Sequence, residues 1–446
     1  ISKDKNKDKL IKSMNEKILH RGPDAEGIFV EGDVALGQRR LSIIDLAGGN
    51  QPIYNEDKSI LIMYNGEVYN YKELKEELTE YKFETESDTE VVLHGYEEWG
   101  HDLPKKLRGM FAYAIYDKNK GEIFISRDQF GIKPLYYYHD GDTILFGSEI
   151  KSFLAYPKFK KVLNKELLGA YLTFSFTPTD ETFFKGVYRL PQGHSMTIDV
   201  KKRKIKIDRY FKVEFGNTDK SFDEVVEEIS AAMKDSTEHH LISDVEVGSF
   251  LSSGVDSSYL VSLAKPDKTY TIGFDLAKYS EIDYAKDLTD KLNIKNISEK
   301  ISKEEYMNAL SEVYYHMDEP TADGCAIAVY FLSRLASKDV KVVLSGEGAD
   351  EFFGGYNSYD DNFYTKLPFF IRKSMASICK ILPKNKITRY IIRRGLPLEE
   401  SYVSINRTYY DDELKDVLKI DNYIKNKDIV KDVYDEYKDY NKLDKM

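Results

Sequence analysis

Cysteine and tryptophan are scarce in this sequence. Its 446 residues include two cysteines, Cys325 and Cys379, and one tryptophan. Two thiols in so long a chain suit a reducing compartment better than a disulfide framework, so we predict a cytoplasmic location. Neither cysteine has the paired spacing and the nearby histidines of a zinc site. We therefore expect both to be buried structural thiols.

Long apolar runs and excess positive charge are also missing. No run of 18 or more apolar residues could span a membrane, and residues 1–10 lack the apolar segment of a secretory signal. The formal net charge of −11 and a pI near 5.4 set up a field that repels phosphate backbones. We expect neither a membrane nor a nucleic acid as partner.

Two domains of different architecture are predicted. SILIMYNGEVYNY, MFAYAIYDKNKGEIFISRDQFG and PLYYYHDGDTILFGSE, all within residues 59–149, are each typical of an antiparallel hairpin. Turn-forming residues interrupt this pattern at FGNTDKS, residues 215–221. We therefore predict domains at residues 1–214 and 215–446.

The second domain alternates strands with helices. VEVGSFL, KTYTIGF and VKVVLS are short β-branched runs, separated by helical stretches such as Cys325 to Ser337. This alternation predicts a doubly wound parallel sheet. Ligands of such sheets bind at the carboxyl ends of the strands, so the residues that follow each run are candidates for a site.

A serine-rich loop follows the first run. VGSFLSSGVDSSYLVSLA places Ser252, Ser253, Gly254 and Asp256 between a strand and a helix. Backbone N–H groups of such a turn bind phosphate, and serine hydroxyls add donors. Asp256 would repel phosphate unless a cation lay between them, which implies magnesium. A serine-rich turn that only caps a helix is the alternative.

Three acids follow another run, in VVLSGEGADEFFGGY. Glu347 lies between two glycines, and Asp350 and Glu351 open the next helix. Acids in a first turn are ordinary complements of the helix dipole, which accounts for Asp350 and Glu351. Glu347 is left without such an explanation.

LSSGVDSS and SGEGADEFFGGY together resemble the two signatures of the asparagine synthetase family. The resemblance implies an α/β ATP-pyrophosphatase (PP-loop) domain, in which ATP activates the side-chain carboxylate of aspartate as an acyl-adenylate and ammonia attacks the acyl carbon. It implies Glu347 as the catalytic residue and Asp256 and Asp350 as magnesium ligands. The ATP-binding residues that it implies are Leu251, Ser252, Ser253, Gly254, Val255, Asp256, Ser257, Ile272, Ser345 and Gly346.

Four segments of the first domain, in their order, resemble the family's glutamine amidotransferase domain. They are HRGPDAEG at 20–27, RRLSIID at 39–45, NGEVYNY at 65–71 and SDTE at 87–90. This implies an α+β, Ntn-hydrolase-like αββα sandwich. Binding glutamine requires a cation, one or two anions and oxyanion donors. The implied glutamine-binding residues are Arg40, Leu41, Ser42, Ile43 and Ile44, then Asn65 and Gly66 as the oxyanion hole, and Glu67 and Asp88 for the amino group.

Family members use a cysteine at the mature N-terminus as nucleophile, whereas Ile1 leads here and Cys325 is the first cysteine. A family catalytic lysine beyond the matching motifs is also not located before Met446. We expect both ends of the sequence to be truncated.

The predicted function is ATP-dependent conversion of aspartate to asparagine through a β-aspartyl-AMP intermediate, with ammonia from glutamine. ATP and Mg²⁺ are the predicted cofactors and small molecules the predicted partners, while a homodimer is left open. An amide-forming ligase for another carboxylate is an alternative, although such relatives usually lose the glutamine-site residues. Another glutamine amidotransferase would lack SSGVDSS. A non-catalytic nucleotide-binding scaffold would not need Glu347, Asp256 and Asp350 together.

Overall fold

The computed structural model describes residues 1–4, 6–216, 218–275, 280–356, 359, 364, 366–383, 385–401, 407–420, 422–442 and 444–445. The chain forms two compact units. The first comprises residues 1–162, 184–318 and 324–346, and the second comprises residues 163–183, 319–323 and 347–446. The predicted boundary at residue 215 is not tested by this division and stays a prediction. Every helix within the described residues is too short or too polar to cross a lipid bilayer.

The strands and helices are numbered here in chain order. The strands are β1 (Ala25–Glu31), β2 (Val34–Arg40), β3 (Ile53–Tyr54), β4 (Ile60–Val68), β5 (Gly109–Asp117), β6 (Glu122–Arg127), β7 (Tyr136–His139), β8 (Ile144–Gly147), β9 (Val187–Arg189), β10 (His194–Asp199), β11 (Lys204–Arg209), β12 (Val247–Phe250), β13 (Lys268–Phe274), β14 (Lys295–Ile301) and β15 (Val342–Leu344). The α-helices are α1 (Lys7–Lys17), α2 (Tyr71–Glu77), α3 (Asp88–Trp99), α4 (Leu168–Phe174), α5 (Phe222–His240), α6 (Val255–Ala264), α7 (Ile282–Leu292), α8 (Lys303–Met317), α9 (Cys325–Ala336), α10 (Ala349–Phe353), α11 (Phe369–Cys379), α12 (Lys386–Arg394), α13 (Leu398–Ser401), α14 (Asp411–Val417) and α15 (Asn426–Glu436). Short 3₁₀ helices span Leu19–Arg21, Gly100–Lys105, Ile150–Ala155 and Lys165–Leu167.

An antiparallel sheet in the order β11-β10-β6-β5-β4-β3 organises the front of the first unit. Alternate residues of a strand face opposite sides of its sheet. Accordingly Leu61 of β4 packs in one core cluster with Leu36 of the β1–β2 hairpin, whereas Ile62 packs in another with Val92 of α3. On the hairpin, a Cβ at Gly37 would lie 2.5 Å from the Asn15 side chain of α1. These layers form the predicted αββα sandwich.

Two of the three predicted hairpins are confirmed and one is wrong. β5 pairs with β6, and β7 pairs with β8, as predicted. SILIMYNGEVYNY instead forms the single strand β4, which pairs with β5 along its whole length. Asn65-Gly66 therefore lies within β4. A Cβ at Gly66 would be 2.3 Å from the carbonyl oxygen of Met110. Glycine at this position allows β5 to approach β4 closely, and it does not form a turn.

The predicted parallel sheet is also in the first unit. Its order is β14-β13-β12-β15, with every neighbouring pair parallel. Ile272 of β13 packs against Phe331 of α9, whereas Leu251, after β12, packs with Val261 of α6 and Ala285 of α7. Helices thus cover the sheet through two separate clusters, as a doubly wound fold requires.

The second unit is helical in its described part. Ala170 and Phe174 of α4 pack against two apolar side chains of α15. Nδ2 of Asn426 donates to Oγ1 of Thr173 at 2.7 Å.

The prediction that both cysteines are buried is right for Cys379, which is buried, and wrong for Cys325, which is exposed. Cys325 is the first residue of α9, where its side chain is exposed.

Candidate functional site

A pocket of about 580 Å³ opens in the first unit beside the αββα sandwich. Its wall combines predicted residues with others that the sequence did not indicate. The lining residues include Arg40, Leu41, Ile43, Ile44, Asn65, Gly66, Glu67 and Asp88, together with His20, Arg21, Lys133, Glu149 and His316. Ser42 is not among them; it is buried, and its backbone N–H donates to Oδ2 of Asp24 at 2.9 Å.

Arg40 ends β2 and is buried. Its Nη2 donates to the carbonyl oxygens of Ile44 and Asp45 at 2.9 and 2.7 Å, and its Nη1 donates to Oδ1 of Asn50 at 3.1 Å. Burial lowers the pKa of Arg40 despite the nearby acids. The guanidinium therefore fixes the loop after β2 and brings a positive charge to the pocket.

Asn65 and Glu67 share one face of β4, because they are two residues apart. Nδ2 of Asn65 is buried and has no hydrogen-bond partner among the described residues. A buried donor without a partner is costly, so one that lines a pocket suits a ligand that accepts a hydrogen bond.

Glu67 and Asp88 bring two buried carboxyl groups to the same wall. Burial, and then the charge of Asp88, raise the pKa of Glu67 to about 8. Asp88 accepts hydrogen bonds from the hydroxyl of Tyr64 at 2.8 Å and from the N–H of Val68 at 3.0 Å. Burial nevertheless raises the pKa of Asp88. A cationic ligand would relieve both carboxylates.

The serine loop lies where the order of the parallel sheet reverses. β12 and β15 are neighbours in the sheet but distant in the chain, so the loops that follow them flank a topological switch point. The first helical turn after the loop has Gly254 as its N-cap, which offers no side chain to the free N–H groups. The serine-capping alternative therefore does not describe this helix.

Serine hydroxyls shape the loop from inside. Oγ of Ser257 accepts from the N–H of Ser252 at 3.2 Å and lies 2.8 Å from Oγ of Ser252. Oγ of Ser253 donates to Glu281 at 2.6 Å. A Cβ at Gly346 would lie 3.0 Å from the N–H nitrogen of Ser257, so the loop after β15 packs directly on the first turn of α6. The two predicted loops therefore meet.

The other predicted ATP-binding and metal residues divide by position. Leu251 and Ile272 are buried in the core clusters, with relative exposures of 2% and 8%. Glu347 follows Gly346 in the chain and belongs to the second unit with Asp350, which opens α10 as predicted. Carboxylates combined with phosphate oxygens suit Mg²⁺, and Asp256 lies in the first turn of α6. The predicted metal ligands stay a prediction.

Among the described residues, one cluster has ligand atoms close enough together to hold a metal ion. It consists of Glu56, His94 and Glu97. The nitrogens of His94 lie 3.7 Å from Glu90 and 2.8 Å from Glu97. Burial opposes the imidazolium, but these acids outweigh it and raise the pKa of His94 to about 9. His94 thus has Glu90 and Glu97 as its nearest charge partners.

Known proteins match both halves of the chain. Residues 1–211 match the family described as "Glutamine amidotransferase domain", and residues 228–441 match the one described as "Asparagine synthase". "Asparagine synthetase [glutamine-hydrolyzing] 1" of Bacillus subtilis is 41% identical over 451 aligned positions, which cover 98% of this chain and 71% of that protein. The chain belongs to the asparagine synthetase family.

Other members of the asparagine synthetase family are similar over somewhat shorter stretches. A candidate glutamine-hydrolysing asparagine synthetase of Mycobacterium bovis is 37% identical, covering 90% of this chain and 65% of that protein. One of Methanocaldococcus jannaschii is also 37% identical, covering 81% of this chain and 76% of that protein. The predicted family and the predicted fold class of both halves are confirmed.

The asparagine synthetase motifs do not name every group that lines the pocket. His20 and Arg21 lie inside HRGPDAEG, so that motif could have indicated them. Glu149 follows β8, and Lys133 follows the β5–β6 hairpin, where burial lowers the lysine pKa. His316 comes from α8 of the other half. No local pattern marks these last three, which only folding brings together.

Proposed function

We propose that the protein converts aspartate to asparagine with ATP, taking ammonia from glutamine. The observation that carries the proposal is the presence in one compact unit of two sites. One is the pocket lined by Arg40, Asn65, Glu67 and Asp88, and the other is the serine loop at the switch point. An amidotransferase alone would not need the loop, and an ammonia-dependent ligase would not need the pocket.

In the proposed glutamine site, the charge pattern matches the amino acid. Glu67 and Asp88 bind the ammonium group, and Arg40 attracts the carboxylate while holding the loop around it. Nδ2 of Asn65, together with the backbone at Gly66, stabilises the oxyanion that forms when the side-chain amide is attacked. Each role uses a group that lines the pocket.

In the proposed ligase site, residues Ser252 to Ser257 hold the phosphates of ATP through first-turn N–H groups and hydroxyls, and Gly346 allows the second loop to approach. Mg²⁺, when bound by Asp256 and Asp350, would neutralise phosphate charge during adenylate formation. Glu347 is the proposed catalytic residue that handles the proton of the attacking amine. Leu251 and Ile272 support the pocket from the core side.

The substrates in this proposal are small molecules, aspartate, glutamine and ATP. The acidic net charge of −11 does not suit a nucleic-acid partner. With two cysteines, one of them exposed, a reducing compartment suits the chain, and we include the cytoplasm in the proposal.

The test uses the full-length gene product, which would supply the N-terminal cysteine that the family resemblance implies, and measures pyrophosphate release with ATP, Mg²⁺ and aspartate, in the presence of glutamine or of ammonium. We expect release with either nitrogen source and its loss in Glu347→Ala. Glu304→Ala is the matched control, because it also removes an exposed acid, here from the first turn of α8, and should keep full activity.

Each other outcome contradicts part of the proposal. Release with ammonium but not with glutamine would contradict the proposed use of glutamine as nitrogen donor. Release with a different carboxylic acid, and none with aspartate, would favour a related amide-forming ligase. No release with any acid would refute a ligase activity.

A further inference from the structure

A buried cluster of charges lies against the glutamine pocket, with Lys151 at its centre. The Lys151 side chain is 3% exposed. Its Nζ lies 2.5 Å from Oε2 of Glu149 and 3.0 Å from Oδ1 of Asp318, and it donates to the carbonyl oxygen of His316 at 3.2 Å. Three acceptors satisfy the three ammonium hydrogens. No mechanistic role proposed above uses this lysine.

The two carboxylates of the cluster connect different parts of the first unit. Glu149 lines the pocket, and its Oε1 accepts hydrogen bonds from Nε2 of His20 at 2.9 Å and from Nη1 of Arg21 at 3.2 Å. Asp318 follows α8, in the half that matches asparagine synthase, and its Oδ2 accepts the N–H of Ile150 at 2.5 Å. Lys151 therefore joins the pocket wall to the half that holds the parallel sheet.

The charges in this cluster depend on one another. Burial would raise the pKa of Glu149, but hydrogen bonds from Lys151 and His20 outweigh it, so that this pKa is lowered. Burial raises the pKa of Asp318, and Lys151 opposes that rise. Without the ammonium, two carboxylates that are each 7% exposed would face each other with their main counter-charge gone.

Loss of the lysine charge would reach the pocket through Glu149. A carboxylate without its counter-charge either takes up a proton or turns toward water. In both cases its hydrogen bonds to His20 and Arg21 weaken, and the ring of His316, whose centroid is 4.4 Å from that of His20, loses its fixed neighbour. The pocket wall would then no longer be preorganised for its ligand.

We propose that Lys151 is a positioning residue for glutamine, which holds the pocket wall by neutralising Glu149 and Asp318 together. Because Asp318 belongs to the other half of the chain, that half contributes to glutamine binding through a residue that does not itself line the pocket. The inference rests on the proposed glutamine site.

The test is glutamine binding to the whole chain, measured by titration calorimetry, with thermal unfolding recorded for each variant. Lys151→Met keeps the length of the side chain without its charge, Lys151→Arg keeps the charge, and Asp318→Asn removes the partner in the other half. Arg203→Met is the matched control. It breaks an ion pair with Asp33 of 2.8 Å in which the arginine is 10% exposed and neither residue lines the pocket.

We expect Lys151→Met and Asp318→Asn to weaken glutamine binding about tenfold or more, which corresponds to about 1.4 kcal/mol. Lys151→Arg should stay within about threefold of the original protein, since it restores the charge. Arg203→Met should lower the unfolding temperature and leave glutamine affinity unchanged.

Folded Lys151→Met or Asp318→Asn with the original affinity would overturn the proposal. An affinity that falls with unfolding temperature in every variant, Arg203→Met included, would also overturn it, because the lysine would then act only on stability. If the original protein binds no glutamine, the proposed glutamine site itself is wrong, and this outcome is distinct from the other two.

Discussion

Glutamine binding should depend on the ionisation of Glu67. This side chain is 6% exposed, and burial, followed by the charge of Asp88, raises its pKa to about 8. The carboxyl group is therefore mostly protonated at neutral pH in the absence of a ligand. An ammonium group binds the ionised form, so glutamine must select the minority of molecules in which Glu67 carries a charge.

The size of this effect follows from the ionised fraction. With a pKa of about 8, the ionised fraction of Glu67 is about 3% at pH 6.5 and about 76% at pH 8.5. The apparent dissociation constant scales inversely with the fraction competent to bind, so glutamine affinity should rise about 25-fold between these pH values. Glu67→Gln should bind glutamine more weakly at pH 8.5 and lose this dependence.

Calorimetric titrations with glutamine, of the original protein and of Glu67→Gln at pH 6.5, 7.5 and 8.5, would measure this pH dependence of the affinity. The amino group of glutamine loses protons equally in both experiments, so the ratio of the two dissociation constants isolates Glu67. An equal pH dependence in the original protein and in Glu67→Gln would refute the assignment of the ammonium site to this carboxylate.

The same carboxyl group should affect stability in the opposite direction. Its folded-state pKa of about 8 lies above the reference value of 4.5, so the folded protein holds the proton more tightly than the unfolded chain does. This contribution to the free energy of unfolding is fully present below about pH 4.5 and is lost as pH rises to about 8, by about 1.4 kcal/mol per pH unit. Urea unfolding of Glu67→Gln over that range should show a correspondingly smaller fall.

Two further substitutions test the remaining contacts. Gly346→Ala would place a Cβ 3.0 Å from the backbone nitrogen of Ser257 and push the two loops apart. ATP binding should weaken about tenfold while glutamine binding stays unchanged. Unchanged ATP affinity in a titration would contradict the proposed phosphate site. Arg40→Lys keeps the charge but cannot hold the carbonyl groups of Ile44 and Asp45 together, so the free energy of unfolding should fall by about 1–3 kcal/mol, with weaker glutamine binding. Full glutamine affinity in this variant would show that charge alone suffices.

The sequence predicted the parallel sheet and its loops because their information is local. A β-branched run, a serine- and glycine-containing turn and a helical repeat follow one another within a few residues, and the switch point follows from the strand order. Asn65-Gly66 shows where local information fails. This dipeptide favours a hairpin turn, but pairing of β4 with the whole of β5 overrides that preference.

The lining of the proposed glutamine pocket was predictable only in part. Arg40, Asn65, Glu67 and Asp88 lie in motifs that resemble a known family, so their position in the chain was enough. Glu149 and His316 are separated by 167 positions in the sequence and meet only after both halves have folded. Neither residue type nor spacing indicates such a contact, which depends on tertiary packing.

Two ion pairs join the glutaminase-like half to the parallel-sheet half within the first unit, and their lengths alone do not show which contributes more free energy. Lys341, which precedes β15, lies 2.6 Å from Asp24, closer than the 3.0 Å between Lys151 and Asp318. Yet the side chains of Lys341 and Asp24 are 38% and 29% exposed. Water and salt screen that pair, which limits its contribution to about 1 kcal/mol or less. Lys151 and its partners have no such screening, because burial leaves each carboxylate dependent on the lysine. Removing one charge from the buried pair should therefore disturb the glutamine pocket more than removing one from the shorter, exposed pair.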